Sequence, residues 1–420
     1  MTSEIIDIVT GSLNLSEPWH VKRVEFSPDK GVVDIYVEVR QEADIPCPRC
    51  GATASRYGYE PNERTWRHGD CFFYKTLVHC RRPKVACPKC GVVQIEAPFA
   101  RKSTRFTLSF EAYAMLILAD MPRAKASKVL RCNEKSLASI LNYWVDKAVE
   151  SRSLKDVSQI AVDETSFKRG HEYVTVVSDA AGSRVIDVEE GREKEVIGLF
   201  CDKLEKHEGS RNNIVAVTSD MSKSYCPAIK EHFPDAAHVI DKFHVKQLLL
   251  NALGDVRKSE QKKVTDKKEL FWSRRLLCVP ETKMTPEQAA QIVSLSRNYP
   301  ETGRAFRIVA ALDNFYRSPN ILEARAAFKK LCSWMRRCRL EPMKRAAATL
   351  QRHADGIMAY FINRATNAIC EGLNSMIQAA KRKARGFNTI KGFTSMIYLV
   401  AGKLDLSVGS PFPPFPLKLE

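Results

Sequence analysis

The stretch Ile160-Ala-Val-Asp163-Glu-Thr165 decides how this chain folds: a short apolar run that ends on an acid, just before a second apolar run from Tyr173 to Val177. A carboxylate at the end of a buried strand carries a large desolvation cost, so it asks for a metal, a basic partner or a reacting group. Two further acids stand in comparable places. Asp220 closes the apolar run Ile214-Val-Ala-Val-Thr-Ser, and Glu371 opens the helical segment Glu-Gly-Leu-Asn-Ser-Met-Ile-Gln. Together the three would make a carboxylate triad for Mg²⁺.

Outward from this stretch, Ile160–Val162, Tyr173–Val177 and Arg184–Glu189 read as an antiparallel meander, with turns at Lys168-Arg-Gly-His171 and Asp179-Ala-Ala-Gly182. A helix over Glu193–Glu205, a strand over Ile214–Ser219, a helix over Ser224–Phe233 and a strand over Ala237–Ile240 follow. Three strands, helix, strand, helix, strand is the order of the RNase H-like α/β fold, in which the first and fourth strands are neighbours. Asp163 and Asp220 then lie close together, where two like charges repel unless a divalent cation neutralises them. Hard carboxylate oxygens suit Mg²⁺, with water and a substrate phosphate completing its shell. Glu164 points to the opposite face of its strand, which predicts a surface role. Asp241 also ends a strand and rivals Asp220, and His244 reads as a structural or supporting residue.

Upstream, Val21–Phe26 and Val32–Val39 alternate as half-buried strands do and predict a hairpin. Cys47-Pro-Arg-Cys50-Gly and Cys87-Pro-Lys-Cys90-Gly have the spacing of two zinc knuckles, so Cys47, Cys50, Cys87 and Cys90 are expected to hold one structural Zn²⁺. His68, Cys71, His79 and Cys80 lack that pairing and are left out. Between the knuckles, Arg64, Arg67, Lys75, Arg81, Arg82 and Lys84 are interleaved with Trp66, Phe72, Phe73 and Tyr74, which reads equally as a phosphate-binding ribbon or as ordinary exposed arginines. After a basic linker at Arg101–Arg105, helical patterns over Phe110–Ala119, Ala124–Leu130 and Ser136–Val149 fit a helix-turn-helix with Ser136 as N-cap. As a DNA reader it would present Lys135, Ser136 and Ser139 to the major groove; a plain helical hairpin is the alternative.

The stretch from 221 to 370 is too long for a loop. Its apolar spacing, its Thr285-Pro-Glu-Gln288 capping box and its Ser318-Pro and Glu341-Pro helix starts predict an all-helical insertion. The basic run Lys381-Arg382-Lys383-Ala-Arg385 follows Glu371 on the same helix and is expected to lie on DNA.

With Lys and Arg at 66 against 49 acids, the formal charge is +17, which favours a polyanionic partner. No apolar run approaches the length of a membrane span, and the 13 cysteines read as metal ligands plus buried thiols of a reducing compartment, so a cytoplasmic, nucleoid-associated protein without membrane contact is expected.

The phrases Val-Asp163-Glu-Thr-Ser-Phe-Lys-Arg-Gly-His-Glu-Tyr-Val-Thr-Val-Val, Ser219-Asp220-Met, His-Val-Ile-Asp241-Lys-Phe-His244-Val and Thr366-Asn-x-x-x-Glu371-Gly-x-Asn374 resemble the D-D-E transposases of bacterial insertion sequences, above all the ISL-three group. The resemblance runs from the zinc ribbon to about Leu399. It implies Asp163, Asp220 and Glu371 as catalytic ligands of two Mg²⁺ (or Mn²⁺) ions, an Asp-x-x-His motif at Asp241 and His244, double-stranded DNA partners (terminal inverted repeats and target), and a homodimer or larger assembly. The chain departs from many such enzymes at Gln378, where a basic residue is usual; that DNA contact then passes to Lys381 or Arg382, or is missing. The expected organisation is multidomain: a β module with zinc ribbon at 1–100, a helix-turn-helix at 101–155, an RNase H-like domain at 156–242 plus 365–408, a helical insertion at 243–364 and a disordered tail at 409–420. Two other functions fit the same sequence: a DNA-binding repressor on an inactive catalytic fold, and a nuclease without strand transfer.

Overall fold

The computed structural model describes residues 3–41, 43, 45–168, 172–191, 194–222, 224–265, 267–362 and 367–407, with backbone alone for 3 and 367–371. The expected turn at 169–171 and the tail at 409–420 lie outside the described residues. By packing, the chain divides into two compact units, residues up to 152 with those from 380 onward, and residues 153–379.

The first unit starts with helix α1 (Ser3–Ser12) and two four-stranded sheets. One sheet orders β1 (Trp19–Ser27), β2 (Val32–Val39), β6 (Lys75–Cys80) and β5 (Arg64–Arg67); the other orders β3 (Ile45–Pro46), β4 (Thr53–Tyr59), β7 (Pro83–Cys87) and β8 (Gly91–Gln94). The β1–β2 hairpin is present, with every second residue of β2's second half buried. Alternation is what one packed sheet face requires. Trp66, Val78, Val85 and Phe99 belong to the shared core.

The linker at 101–105 is not free chain. Arg67 N–H donates to Arg105 O and Thr107 N–H to Arg67 O, which continues β5's pairing to the start of the helices. Those are α2 (Leu108–Asp120), α3 (Arg123–Val129) and α4 (Glu134–Ser151). The Thr107 hydroxyl caps α2 by accepting from Phe110 N–H. The cap of α4 is Asn133, whose Oδ1 accepts from Lys135 N–H at 2.7 Å. This corrects the Ser136 assignment: Asn133 has the extended backbone an N-cap needs, and Ser136 already sits inside the first turn. Leu137, Ile140, Leu141, Trp144, Val145 and Ala148 form α4's buried stripe.

The second unit is built on a five-stranded sheet ordered β11 (Arg184–Glu190), β10 (Glu172–Asp179), β9 (Gln159–Lys168), β12 (Ala216–Ser219), β13 (Ala237–Ile240). The first three are antiparallel, and β12 and β13 add in parallel through α5 (Glu195–Lys206) and α6 (Tyr225–His232). Parallel neighbours need such helical crossovers. Ile197, Phe200, Cys201 and Leu204 of α5 pack on Ile160, Val162, Val177 and Ile186, each buried side chain contributing roughly 1.5–3 kcal/mol. The strand order is the RNase H-like one.

The insertion is all-helical. It comprises α7 (Lys242–Gln261), α8 (Lys268–Trp272), α9 (Pro286–Asn298), α10 (Pro300–Tyr316), α11 (Ile321–Arg337), α12 (Glu341–Arg352) and α13 (Ala354–Ala359). The capping box forms at Thr285 and Gln288 as its sequence predicts. The insertion's core is continuous with the sheet, running from Ile240 of β13 to Met358 of α13. At Gly356 a Cβ would stand 2.7 Å from Ile240 Cγ1, so only glycine lets α13 lie this close to β13.

Two further helices follow among the described residues, α14 (Asn367–Ala384) and α15 (Ile390–Ala401). Residues of α14 up to 379 belong to the second unit, whereas α15 packs in the first. The reason is apolar: α15 buries Phe393, Met396, Ile397 and Leu399, and its Ser395 hydroxyl donates to Asn142 Oδ1 of α4 at 2.9 Å.

Candidate active site and zinc centre

The β9–β12 register pairs Val217 with Ile160 and Thr218 with Ala161; carried two residues further it sets Asp220 beside Asp163. Asp163 Oδ1 accepts from Glu164 N–H at 2.8 Å, and Asp220 Oδ1 from Ser222 N–H at 2.9 Å. Burial, foremost, raises Asp220 above the ordinary carboxylate range, and the charge of Asp163 adds to it.

A histidine of α7 faces this pair. Asp241 caps that helix, its Oδ1 accepting from Phe243 N–H at 2.9 Å, and one turn on His244 Nε2 lies 3.5 Å from Asp163 Oδ1 and 4.0 Å from Asp241 Oδ2. His244 is held above the usual imidazole value, chiefly by Asp163, with Asp241 and Asp220 contributing against burial. Asp241 is thus occupied as a helix cap, while its charge supports the imidazolium.

From the other direction α14 reaches the same strand. Asn374 Nδ2 donates to Asp163 Oδ2, and Gln378 Nε2 donates to Thr165 Oγ1 at 2.8 Å. Position 371 falls three residues before Asn374 and seven before Gln378, on the same face of α14. The side chain of Glu371 lies outside the described residues. Gln378 accordingly braces β9. Glu164 does face the other side of the sheet, but it is half-buried there and hydrogen-bonds Tyr225 of α6; its expected surface role does not hold, because the second face is covered by α5 and α6.

In the ribbon, Cys47 follows β3, Cys50 precedes β4, Cys87 ends β7 and Cys90 precedes β8. Their four sulfurs lie within 4.8 Å of one another, and Cys50 and Cys87 are 3.5 Å apart. Gly51 and Gly91 take φ +71° and +73°, the left-handed turn that folds each knuckle. The backbone N–H groups of Arg49 and Cys50 draw the Cys47 thiol down to about 7, whereas neighbouring sulfurs, Cys50 foremost, push Cys90 up to about 12. Four thiolates this close need a cation between them, and an all-sulfur tetrahedral set fits Zn²⁺ in a closed, structural role. Among the described residues no other group of three or more such ligands converges as tightly.

Residues 160–397 match the ISL3 family described as transposase, residues 43–90 the zinc-finger of transposase IS204/IS1001/IS1096/IS1165, and residues 95–145 the helix-turn-helix domain of transposase family ISL3. The chain belongs to the ISL3 family of transposases. It is similar to the transposase for insertion sequence element IS1557 of Mycobacterium tuberculosis, at 25% identity over 84% of this chain and 85% of that one. It is also similar to the transposase for insertion sequence element IS1001 of Bordetella parapertussis, at 24% identity over 90% and 93%.

In this transposase the basic residues between the knuckles divide in a way neither sequence reading anticipated. Arg82 is buried, its guanidinium bidentate on Glu60 at 3.1 Å, and Arg67 is buried against Asp70 and the carbonyls of His68 and Thr76. Both hold the fold together. Lys135 and Ser139 are exposed on α4, and Ser136 is half-buried. Of the basic run on α14, Arg382 and Arg385 are exposed, Lys383 donates to Asp120 O at 3.4 Å, and burial lowers Lys381. No described helix is long and apolar enough to cross a membrane. Asn374, absent from the expected site, is the residue sequence reading missed; its place three residues after Glu371 was the available signal.

Proposed function

We propose that this transposase binds the terminal inverted repeats of its insertion sequence through the zinc ribbon and helix-turn-helix, and catalyses metal-dependent DNA strand cleavage and strand transfer. The observation that carries the reading is the placement of Asp163 on β9 and Asp220 at the end of the adjacent parallel β12, with Asn374 bracing Asp163 and His244 facing it. Asp163, Asp220 and Glu371 are assigned as the ligands of Mg²⁺ or Mn²⁺, two ions per site. The Asp220 carboxyl, raised first by burial and then by the charge of Asp163, fits that assignment, because a bound cation offsets both. Bound there, the ions would supply Lewis-acid polarisation of the scissile phosphate and ready ionisation of a water or 3′-hydroxyl.

The chain's own part is positioning. Asn374 and the Glu164 N–H hold the two oxygens of Asp163, and Ser222 N–H orients Asp220. His244 offsets negative charge beside Asp163 and can carry a proton there. Lys135, Ser136 and Ser139 are assigned to the DNA read by α4, and Lys381, Arg382, Lys383 and Arg385 to the DNA backbone. Two element ends brought together call for a dimer or larger assembly.

The test uses duplexes carrying the ends of the element that encodes the chain. Asp163→Asn and Asp220→Asn should retain those duplexes while Mg²⁺-dependent nicking and joined products fall below detection. Cleavage by either variant at the wild-type rate overturns the assignment. Cleaved ends without joined products would leave a nuclease.

A further inference from the structure

The hairpin between β5 and β6 ends in a two-residue turn, Cys71-Phe72-Phe73-Tyr74, closed by Cys71 N–H to Tyr74 O at 3.1 Å and Tyr74 N–H to Cys71 O at 2.9 Å. Its two corner residues are Phe72, 89% exposed, and Phe73, 90% exposed. Turns of this kind take Gly or Asn, because one corner requires a positive φ. Phe72 holds φ +54°, a conformation costly for a bulky side chain. Two phenyl rings in water and a strained backbone give the fold nothing in return, and such a local conflict marks a functional position.

The tip is also fixed in place. Arg131, in the turn between α3 and α4, donates from Nε to Asp70 Oδ2 at 2.9 Å and from its second nitrogen to Phe73 O at 3.0 Å. Asp70 is held from the other side by Arg67, Cys71 N–H donates to Thr76 Oγ1 at 3.1 Å, and Tyr74 packs edge-on against Phe26 at 4.7 Å. The backbone that carries the rings is therefore held beside the helix-turn-helix turn, which leads directly into the end of α4 assigned above to DNA. The two helices that Arg131 joins, α3 and α4, expose Lys125, Lys128 and Lys135, and exposed cations on the elements next to the tip suit a phosphate backbone better than an apolar protein partner.

We propose that Phe72 and Phe73 are an apolar wedge that enters the minor groove of duplex DNA and unstacks a base step beside the segment engaged by α4. The inference rests on the DNA-binding reading of α3 and α4 above. A two-residue tip is narrow enough for the minor groove, and phenyl rings between base pairs recover the apolar contact they lack in the free protein.

The experiment uses the full chain and element-end duplexes with 2-aminopurine at single, successive positions. Wild type should raise fluorescence severalfold at one or two adjacent positions flanking the α4 footprint. Phe72→Gly with Phe73→Ser should abolish that rise and weaken retention roughly tenfold, with the α4 footprint unmoved. Glycine relieves the strain at position 72, so the variant's thermal midpoint should be unchanged or higher. A footprint without any fluorescence rise in wild type overturns the wedge alone. Failure of wild type to retain the duplex overturns the underlying DNA-binding reading with it. A variant that keeps both rise and affinity but loses self-association in sedimentation assigns the rings to a second copy of the chain, and likewise overturns the wedge.

Discussion

Glu111 has no solvent exposure, and its carboxylate is held by Arg101 at 2.7 and 2.9 Å, by the Thr104 hydroxyl at 2.9 Å and by the Trp144 indole N–H at 2.8 Å. One acid thus ties the linker, α2 and α4 together. Glu111→Ala leaves the half-buried Arg101 guanidinium and the buried Trp144 N–H without their acceptor, and a loss of about 2–4 kcal/mol in the first unit's stability is expected by denaturant titration; a loss under 1 kcal/mol would contradict it. His68 offers a pH test. Its Nδ1 lies 2.9 Å from the Thr107 hydroxyl that caps α2, and burial, with Arg67 adding, lowers it from the ordinary 6.5 to about 4. Between those values the unfolded chain binds more protons, so this contribution is full above pH 6.5 and declines as pH falls toward 4, by roughly 3 kcal/mol at most. Acidification from pH 7 to 4.5 should therefore destabilise wild type more than His68→Gln, read by amide exchange of β5 and β6. Equal losses would assign the pH dependence to another group.

At the scale of elements, the zinc ribbon is two short hairpins, to whose core Ile45, Ala54, Val85 and Val93 contribute. The cysteines at their roots supply the missing cohesion. A strong chelator should abolish exchange protection across β3, β4, β7 and β8 while β9 to β13 keep theirs; protection that survives in the ribbon would show that the sheet stands without metal. The same scale explains which elements were legible in advance. Strands such as Tyr173–Val177 and helices such as Ser136–Val149 carry strong local patterns and lie within a few residues of the observed ends. The α4 cap was misplaced because Asn133 and Ser136 are both good caps, and only backbone conformation separates them. Arg82 reads as a surface cation because nothing local announces Glu60, 22 residues away, as its partner; Asp70 stands only three residues from Arg67, but that spacing does not show that the pair is buried.

For the whole molecule, the formal charge of +17 is a prediction about salt. Retention of element-end duplexes should fall steeply and log-linearly between 50 and 200 mM salt, on the order of 10³-fold for six phosphate contacts, and Lys135→Ala should take about one unit from the slope. Retention indifferent to salt would remove phosphates as the main partner. The sequence alone determined the order of modules, the four cysteine ligands, the five-strand order of the catalytic sheet and the acids worth testing, because periodicity, knuckle spacing and acids at strand ends are local patterns. Ile160–Thr165 carried most of that reading. Only the tertiary structure decided what surrounds Asp163, that α15 packs on α4, and that Phe72 and Phe73 stand exposed beside Arg131. Each of these depends on residues far apart in the chain meeting through packing, and which distant partner meets a given side chain is settled only when the apolar faces close.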